Sequence, residues 1–160
     1  LPLNFGEILK FVASLAICQL AGLIGSLFTR PAIPTWYQSL NKPSFAPPNW
    51  LFGPVWISLY LLMGIALFLV WRKAGEARVK TALFIFALQL LFNAFWSVAF
   101  FGFRSPAFGL IIILLLWITL FLTIILFARL SLAASILLWP YFLWVSFASW
   151  LNFSLWWLNR

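Results

Sequence analysis

The sequence predicts an all-α integral membrane protein, a bundle of five transmembrane helices with one structured loop between the first and second. Three observations predict it. Of 160 residues, 66% are hydrophobic and 8% charged, and the mean hydropathy is +1.10, values that exclude a soluble globular domain. Five stretches reach the roughly 20 apolar residues that a spanning helix needs, at 8–28, 52–71, 81–101, 107–127 and 133–156. The connections after the second, third and fourth stretches are short, which makes consecutive helices antiparallel neighbours in an up-down bundle. The chain therefore reads as one multi-pass domain over 1–160.

The first helix, 8–28, is longer than the roughly 7 to 15 residues of a signal-peptide core, so it is expected to be retained. It carries Ser14, Cys18, Gly22 and Ser26 at steps of four, with Gly25 beside them. Such a stripe of small residues lets helix backbones approach closely in lipid, either inside the bundle or against a second copy. The segment that follows, 29–51, is read as a lid. The stretch WYQSLNKPSFAPPNWLFGPVW from Trp36 to Trp56, which overlaps it, is polar and punctuated by Pro43, Pro47, Pro48 and Pro54. These prolines fix φ and remove backbone donors, so the segment is expected to hold a fixed, extended shape over one membrane face. Pro54 in the first turn of the second helix and Pro106 just before the fourth cost little, because the N–H they lack has no partner there. Pro140 lies within the fifth stretch and is expected to kink it or to mark its true start, with 135–139 as a preceding turn.

Several chemistries are closed to this composition. With a single cysteine, Cys18, no intrachain disulfide and no multi-cysteine metal site can form. The absence of histidine removes the commonest haem ligand and the usual general base. Only two acids occur, Glu7 and Glu76, both at or outside helix ends, which leaves a carboxylate proton relay nothing to work with. The net charge of +8 is spread along the membrane boundaries and reads as anchoring to anionic headgroups, with no nucleic-acid partner. Lys10, Arg72, Lys73, Arg78, Lys80 and Arg129 fall on the N-terminal side, and Arg30, Lys42, Arg104 and Arg160 on the other, a bias that puts the N-terminus in the cytoplasm. Trp71, Trp156 and Trp157 suit an interfacial belt; Trp96 and Trp117 suit it less well.

Gln89, Asn93 and Ser97 share one face of the third helix, with Trp96 flanking them, and amides in hydrocarbon must be satisfied by another helix or a cavity. Trp56, Tyr60 and Gly64 make a matching stripe on the second helix, and Trp144, Ala148 and Asn152 on the fifth. The residues alone leave two readings open. The stripes are polar glue between helices, or they converge under the lid as an aromatic-walled pocket for a flat, conjugated guest.

The order WYxxLxKPSFxPPxWxFxPVW, followed by Leu59-Tyr60 and Met63-Gly64, resembles the TspO/translocator protein family, also called peripheral benzodiazepine receptors. Asn93 within 92–97 and the run 140–152 agree with it, so the resemblance covers roughly residues 22–152. It implies a cavity between the helices that holds porphyrins, sterol-like molecules or benzodiazepine-type drugs, with no cofactor required. Carried over by position, the implied ligand-binding residues are Trp36, Tyr37 and Pro47 on the lid, Trp56 and Tyr60, Asn93 and Trp96, then Trp144, Ala148 and Asn152. Trp56 and Trp144 match the tryptophans implicated in light-dependent porphyrin breakdown in bacterial relatives, so they would be catalytic if that photo-oxidation occurs. The implied role is sequestration, transport or sensing of planar lipophilic molecules, with a porphyrin-degrading enzyme or a passive transporter as alternatives. Homodimers are common in the family, and its members occupy mitochondrial or bacterial membranes. Phe45 stands where relatives often carry tryptophan, and the position of the animal cholesterol motif's tyrosine holds Phe153. Arg30, Lys42 and Arg104 are the candidate cations for a porphyrin's propionates, by predicted side alone.

Overall fold

The computed structural model describes residues 2–160 and contains five long helices, with no strand among the described residues. They are α1 (Phe5–Ala32), α2 (Asn49–Trp71), α3 (Ala77–Ser97), α4 (Pro106–Ala128) and α5 (Leu132–Leu158). Each is long and apolar enough to cross a membrane. The fold class read from composition and stretch length is the one observed.

Local chemistry sets the ends. Asn4 opens α1 with a capping box, its side chain accepting from the Glu7 N–H at 2.9 Å while the Glu7 carboxylate accepts from the Asn4 N–H. Ser105 and Ser131 cap α4 and α5, accepting from the N–H groups of Phe108 and Ala134. On the same side as the N-terminus, the Arg72 guanidinium meets the Glu7 carboxylate at 2.7 Å, and Lys73 donates to the Leu130 carbonyl. At the opposite end, Asn159 bonds Asn41. The helices alternate in direction, as short connections require.

Around the bundle, α1 packs on α2, α2 on α5, α5 on α4, α4 on α3, and α3 back on α1. The stripe on α1 faces inward: Ser14, Cys18 and Gly25 are buried. Opposite it, a Cβ on Gly64 would lie 2.9 Å from the Leu15 Cα, so α1 and α2 cross there at backbone contact. The half nearer the N-terminus is filled, with Met63, Ala66, Val70, Ala82, Phe127 and Leu138 essentially inaccessible. Phe86 and Phe127 stack there at 5.6 Å.

Three expectations need correction. The second helix starts at Asn49, so Pro54 lies inside it and not in its first turn. The first helix does not stop at residue 28; it runs through Pro31 and continues as a π-helical turn, Ile33–Tyr37. Pro34 has no N–H to return to the preceding turn and its ring crowds the carbonyl four residues back, which a widened turn relieves. Beside it, the Thr35 hydroxyl donates to the Pro31 carbonyl at 2.8 Å. Irregular backbone of this kind is tolerated in membrane helices where side chains satisfy it again. The lid thus shrinks from 29–51 to 40–48, and Trp36 and Tyr37 sit on helical backbone. Pro140, likewise, does not mark the start of α5, which is helical from Leu132 onward.

Candidate functional site: an aromatic cavity at the lid end

In the half nearer the lid the bundle opens into a cavity of about 710 Å³ between α1, α2, α3 and α5. A second π-helical turn, Val98–Gly102, follows α3 and helps to build its upper wall. The extra residue in that turn lets consecutive side chains, Phe100 and Phe101, both point inward, where they are 1% and 8% exposed. Trp36 packs edge-on against Phe100 at 5.4 Å, and Tyr37 lies 5.9 Å from Phe101. The two π-turns therefore fix one another through their aromatic rings.

The floor is polar and fully bonded. Tyr60 donates to the Asn93 Oδ1, Asn93 Nδ2 donates to the Tyr141 hydroxyl at 2.7 Å, and Tyr141 donates to the Gln89 Oε1 at 3.1 Å. Gln89 Nε2 ends the chain at the Met63 sulfur, 3.9 Å away. Higher on the wall, Trp96 Nε1 donates to Asn152 Oδ1 at 2.9 Å while Asn152 Nδ2 donates to the Pro106 carbonyl at 2.8 Å. Trp56 stacks on Tyr60 at 5.6 Å and stands edge-on to Tyr141. Gly22 makes room for this arrangement, since a Cβ there would come within 2.7 Å of Tyr60 Cδ2. Two buried polar atoms on the cavity wall, the Tyr37 hydroxyl oxygen and Trp144 Nε1, have no hydrogen-bond partner among the described residues, and neither has the Ser14 hydroxyl on α1.

The sequence pattern of the TspO/MBR family matches residues 14–158, which takes in every helix that lines this cavity. The chain belongs to the TspO/MBR family. Tryptophan-rich protein TspO of Archaeoglobus fulgidus is 46% identical over 112 residues, covering 69% of this chain and 71% of that protein. The protein of the same name from Chlorobaculum tepidum is 46% identical over 116 residues, 70% of this chain and 72% of its own length. The human translocator protein is 38% identical over 99 residues, 61% and 59% of the two chains.

Of the ten positions that resemblance to the TspO/MBR family marks, eight line the cavity: Tyr37, Trp56, Tyr60, Asn93, Trp96, Trp144, Ala148 and Asn152. Trp36 and Pro47 do not. Trp36 lies behind Tyr37, packed into the aromatic cluster against Phe100 and Phe101. Pro47 lines a separate, open crevice of about 410 Å³ on the outer side of Trp144, with Leu51, Pro140, Leu143 and Phe147. Among the three candidate cations only Arg30 is on the cavity wall. Lys42 is turned onto the Tyr37 ring and the lid's own carbonyls, and Arg104 sits in the α3–α4 turn.

The wall contributed by α1 went unread as part of the site. Gln19, Gly22, Ser26, Thr29 and Ile33 all face the cavity, whereas their spacing announces only close helix packing. Tyr141 was missed too, although it lies three residues before Trp144 and carries the central hydroxyl of the floor network. The tryptophans poorly suited to an interfacial belt are bonded inside the bundle: Trp96 to Asn152, and Trp117 Nε1 to the Ser146 hydroxyl at 2.8 Å. Glue and pocket are thus not alternatives here. The same amides that tie the helices together form the cavity's polar edge.

Proposed function

We propose that this member of the TspO/MBR family binds a planar, conjugated, lipophilic molecule of the porphyrin class in the cavity, and acts in sequestering or sensing it. The observation that supports the reading best is a cavity of about 710 Å³ walled by Trp56, Trp96, Trp144, Tyr37 and Phe100, with few polar groups. Flat aromatic walls offer stacking area to a flat guest, and a small number of placed amides and hydroxyls orient it. Arg30 on the cavity wall suits an anionic edge such as a propionate.

The test is a titration of the purified protein with protoporphyrin IX in the dark, followed by tryptophan fluorescence. Saturable quenching is expected, with several-fold weaker binding in Trp56→Phe and Trp144→Phe; quenching that never saturates removes the porphyrin reading. A second activity has one observation in its favour, the placement of two indoles, Trp56 and Trp144, on the same cavity wall. Under light and oxygen an excited porphyrin held there can react with a neighbouring indole or with dioxygen. Bleaching of bound porphyrin under illumination, lost in both phenylalanine variants although binding persists, is the outcome that supports degradation.

A further inference from the structure

The polar groups that the cavity shows to a guest are unevenly spread. Asn93 on α3 accepts from Tyr60 and donates to Tyr141, and Asn152 on α5 accepts from Trp96 and donates to the Pro106 carbonyl. At 3% and 1% exposure, neither amide has much surface left for a guest. Towards α2 and α5 the wall is aromatic, with Phe52 and Trp144 edge-on at 6.3 Å and Trp56 stacked on Tyr60. The α1 wall is different. It lines the cavity with Gln19, Ser26, Thr29 and Arg30, none of them fully buried.

The donors on this wall turn back into the protein. The Ser26 hydroxyl donates to the Leu23 carbonyl at 2.7 Å and the Thr29 hydroxyl to the Gly25 carbonyl at 3.1 Å, each returning to its own helix. Across the α1–α2 contact, Gln19 Nε2 donates to the Ile57 carbonyl at 3.3 Å. What remains is acceptor capacity. A hydroxyl oxygen that has given its proton keeps its lone pairs, and no donor among the described residues meets Ser26 Oγ, Thr29 Oγ1 or Gln19 Oε1. Arg30 is the reverse case, a guanidinium with no ion pair among the described residues. At 1.5 Å per residue it stands about 6 Å beyond Ser26 along α1, close enough for the two to meet neighbouring groups on one edge of a flat guest.

We infer that α1 is the wall that reads the guest's edge: it selects planar guests that carry a hydrogen-bond donor, a hydroxyl or an N–H, on the same edge as their anionic group. Ser26 and Thr29 accept from the donor while Arg30 meets the anion. The aromatic walls hold the faces of such a guest, and α1 decides which edge is turned towards it. The inference rests on the cavity binding a planar guest of the porphyrin class.

A matched pair of guests tests it. Haematoporphyrin IX and mesoporphyrin IX differ by two hydroxyl groups, and in the first a hydroxyethyl and a propionate share one edge of the macrocycle. Each is titrated in the dark, with tryptophan fluorescence as the readout, into the wild type, Ser26→Ala and the double variant Ser26→Ala/Thr29→Val. Solvation of the free guests is the same in every titration, so a change in the ratio of their Kd values between proteins reads the wall alone. Loss of one neutral hydrogen bond weakens haematoporphyrin relative to mesoporphyrin by about three- to tenfold in the double variant. Ser26→Ala shows part of that shift, and it serves alone if the double variant folds poorly.

A ratio that stays constant across the three proteins overturns the inference. Affinities that fall together show that the two hydroxyls only hold α1 in place, and affinities that do not fall show that the guest's edge lies against another wall. If neither porphyrin quenches saturably in the wild type, it is the porphyrin reading that fails. The wall is then judged by 1-hydroxypyrene against pyrene, a planar pair that differs by one hydroxyl. A preference for the hydroxylated ring that disappears in the double variant upholds the edge-reading wall, and a ratio that the double variant leaves unchanged refutes it.

Discussion

Asn93 illustrates how one residue in hydrocarbon constrains its neighbours. Its amide has no water to fall back on, so the Tyr60 and Tyr141 hydroxyls meet it from two other helices, and Gln89 takes up the remaining Tyr141 proton. The need for partners was legible from Gln89 and Asn93 four residues apart. Their identity was not, because helical spacing shows that a face must be satisfied and says nothing of which hydroxyl on another helix arrives there. Gly22 makes the same point in reverse: as part of a small-residue stripe it announced close approach, yet what approaches is the Tyr60 ring. Gly22→Ala is therefore expected to displace Tyr60 from Asn93 and to cost about 1–3 kcal/mol, as overpacking generally does. Thermal unfolding in detergent measures it, and porphyrin affinity should fall with it because Trp56 stacks on the displaced ring. An unchanged midpoint would show that Tyr60 is free to move, contrary to its bonding.

Helix ends and interruptions were less evenly readable. Ser105 before Pro106 and Ser131 before an apolar run are both cap signals, and both cap. Two bounds were misread, at opposite ends of the site. The end of the apolar stretch at residue 28 suggested that α1 stops early, and Pro140 suggested a kink or a late start in α5. Apolar content does not mark where a helix ends when a π-turn carries it on past its prolines, as at Ile33–Tyr37. The α3–α4 turn carries a different strain. Arg104 has φ of 51°, a left-handed conformation that costs a residue with a Cβ roughly 1–2 kcal/mol relative to glycine. Arg104→Gly should raise thermal stability by up to about 1 kcal/mol, after allowing for glycine's greater freedom in the unfolded chain. Because Arg104 is off the cavity wall, porphyrin affinity should stay as it was. A loss of stability would reveal that the arginine side chain holds the turn by contacts stronger than the strain.

The molecule as a whole is built in two halves of different density. Near the N-terminal side the five helices close around a filled core; towards the lid four of them part around the cavity. A guest that binds the folded state alone should therefore raise stability by mass action, by about 2.7 kcal/mol at a free concentration one hundred times Kd. The added hydrogen-exchange protection should be concentrated in residues lining the lid half, such as those around Trp96 and Ala148, with little change around Phe86 and Phe127. Protoporphyrin-induced shifts in the unfolding midpoint test the first statement and peptide-resolved exchange the second. Uniform protection, or none, would place the guest elsewhere on the protein.

The bonded floor of the cavity has one more consequence. From Tyr60 the network passes from α2 to Asn93 on α3 and Tyr141 on α5, then back through Gln89 to Met63 on α2, and beyond it Ala66, Val70 and Leu138 are inaccessible. A guest held in the cavity would have to break this network to pass towards the N-terminal side, so a unit that keeps it intact would take up and give back its guest on the lid side.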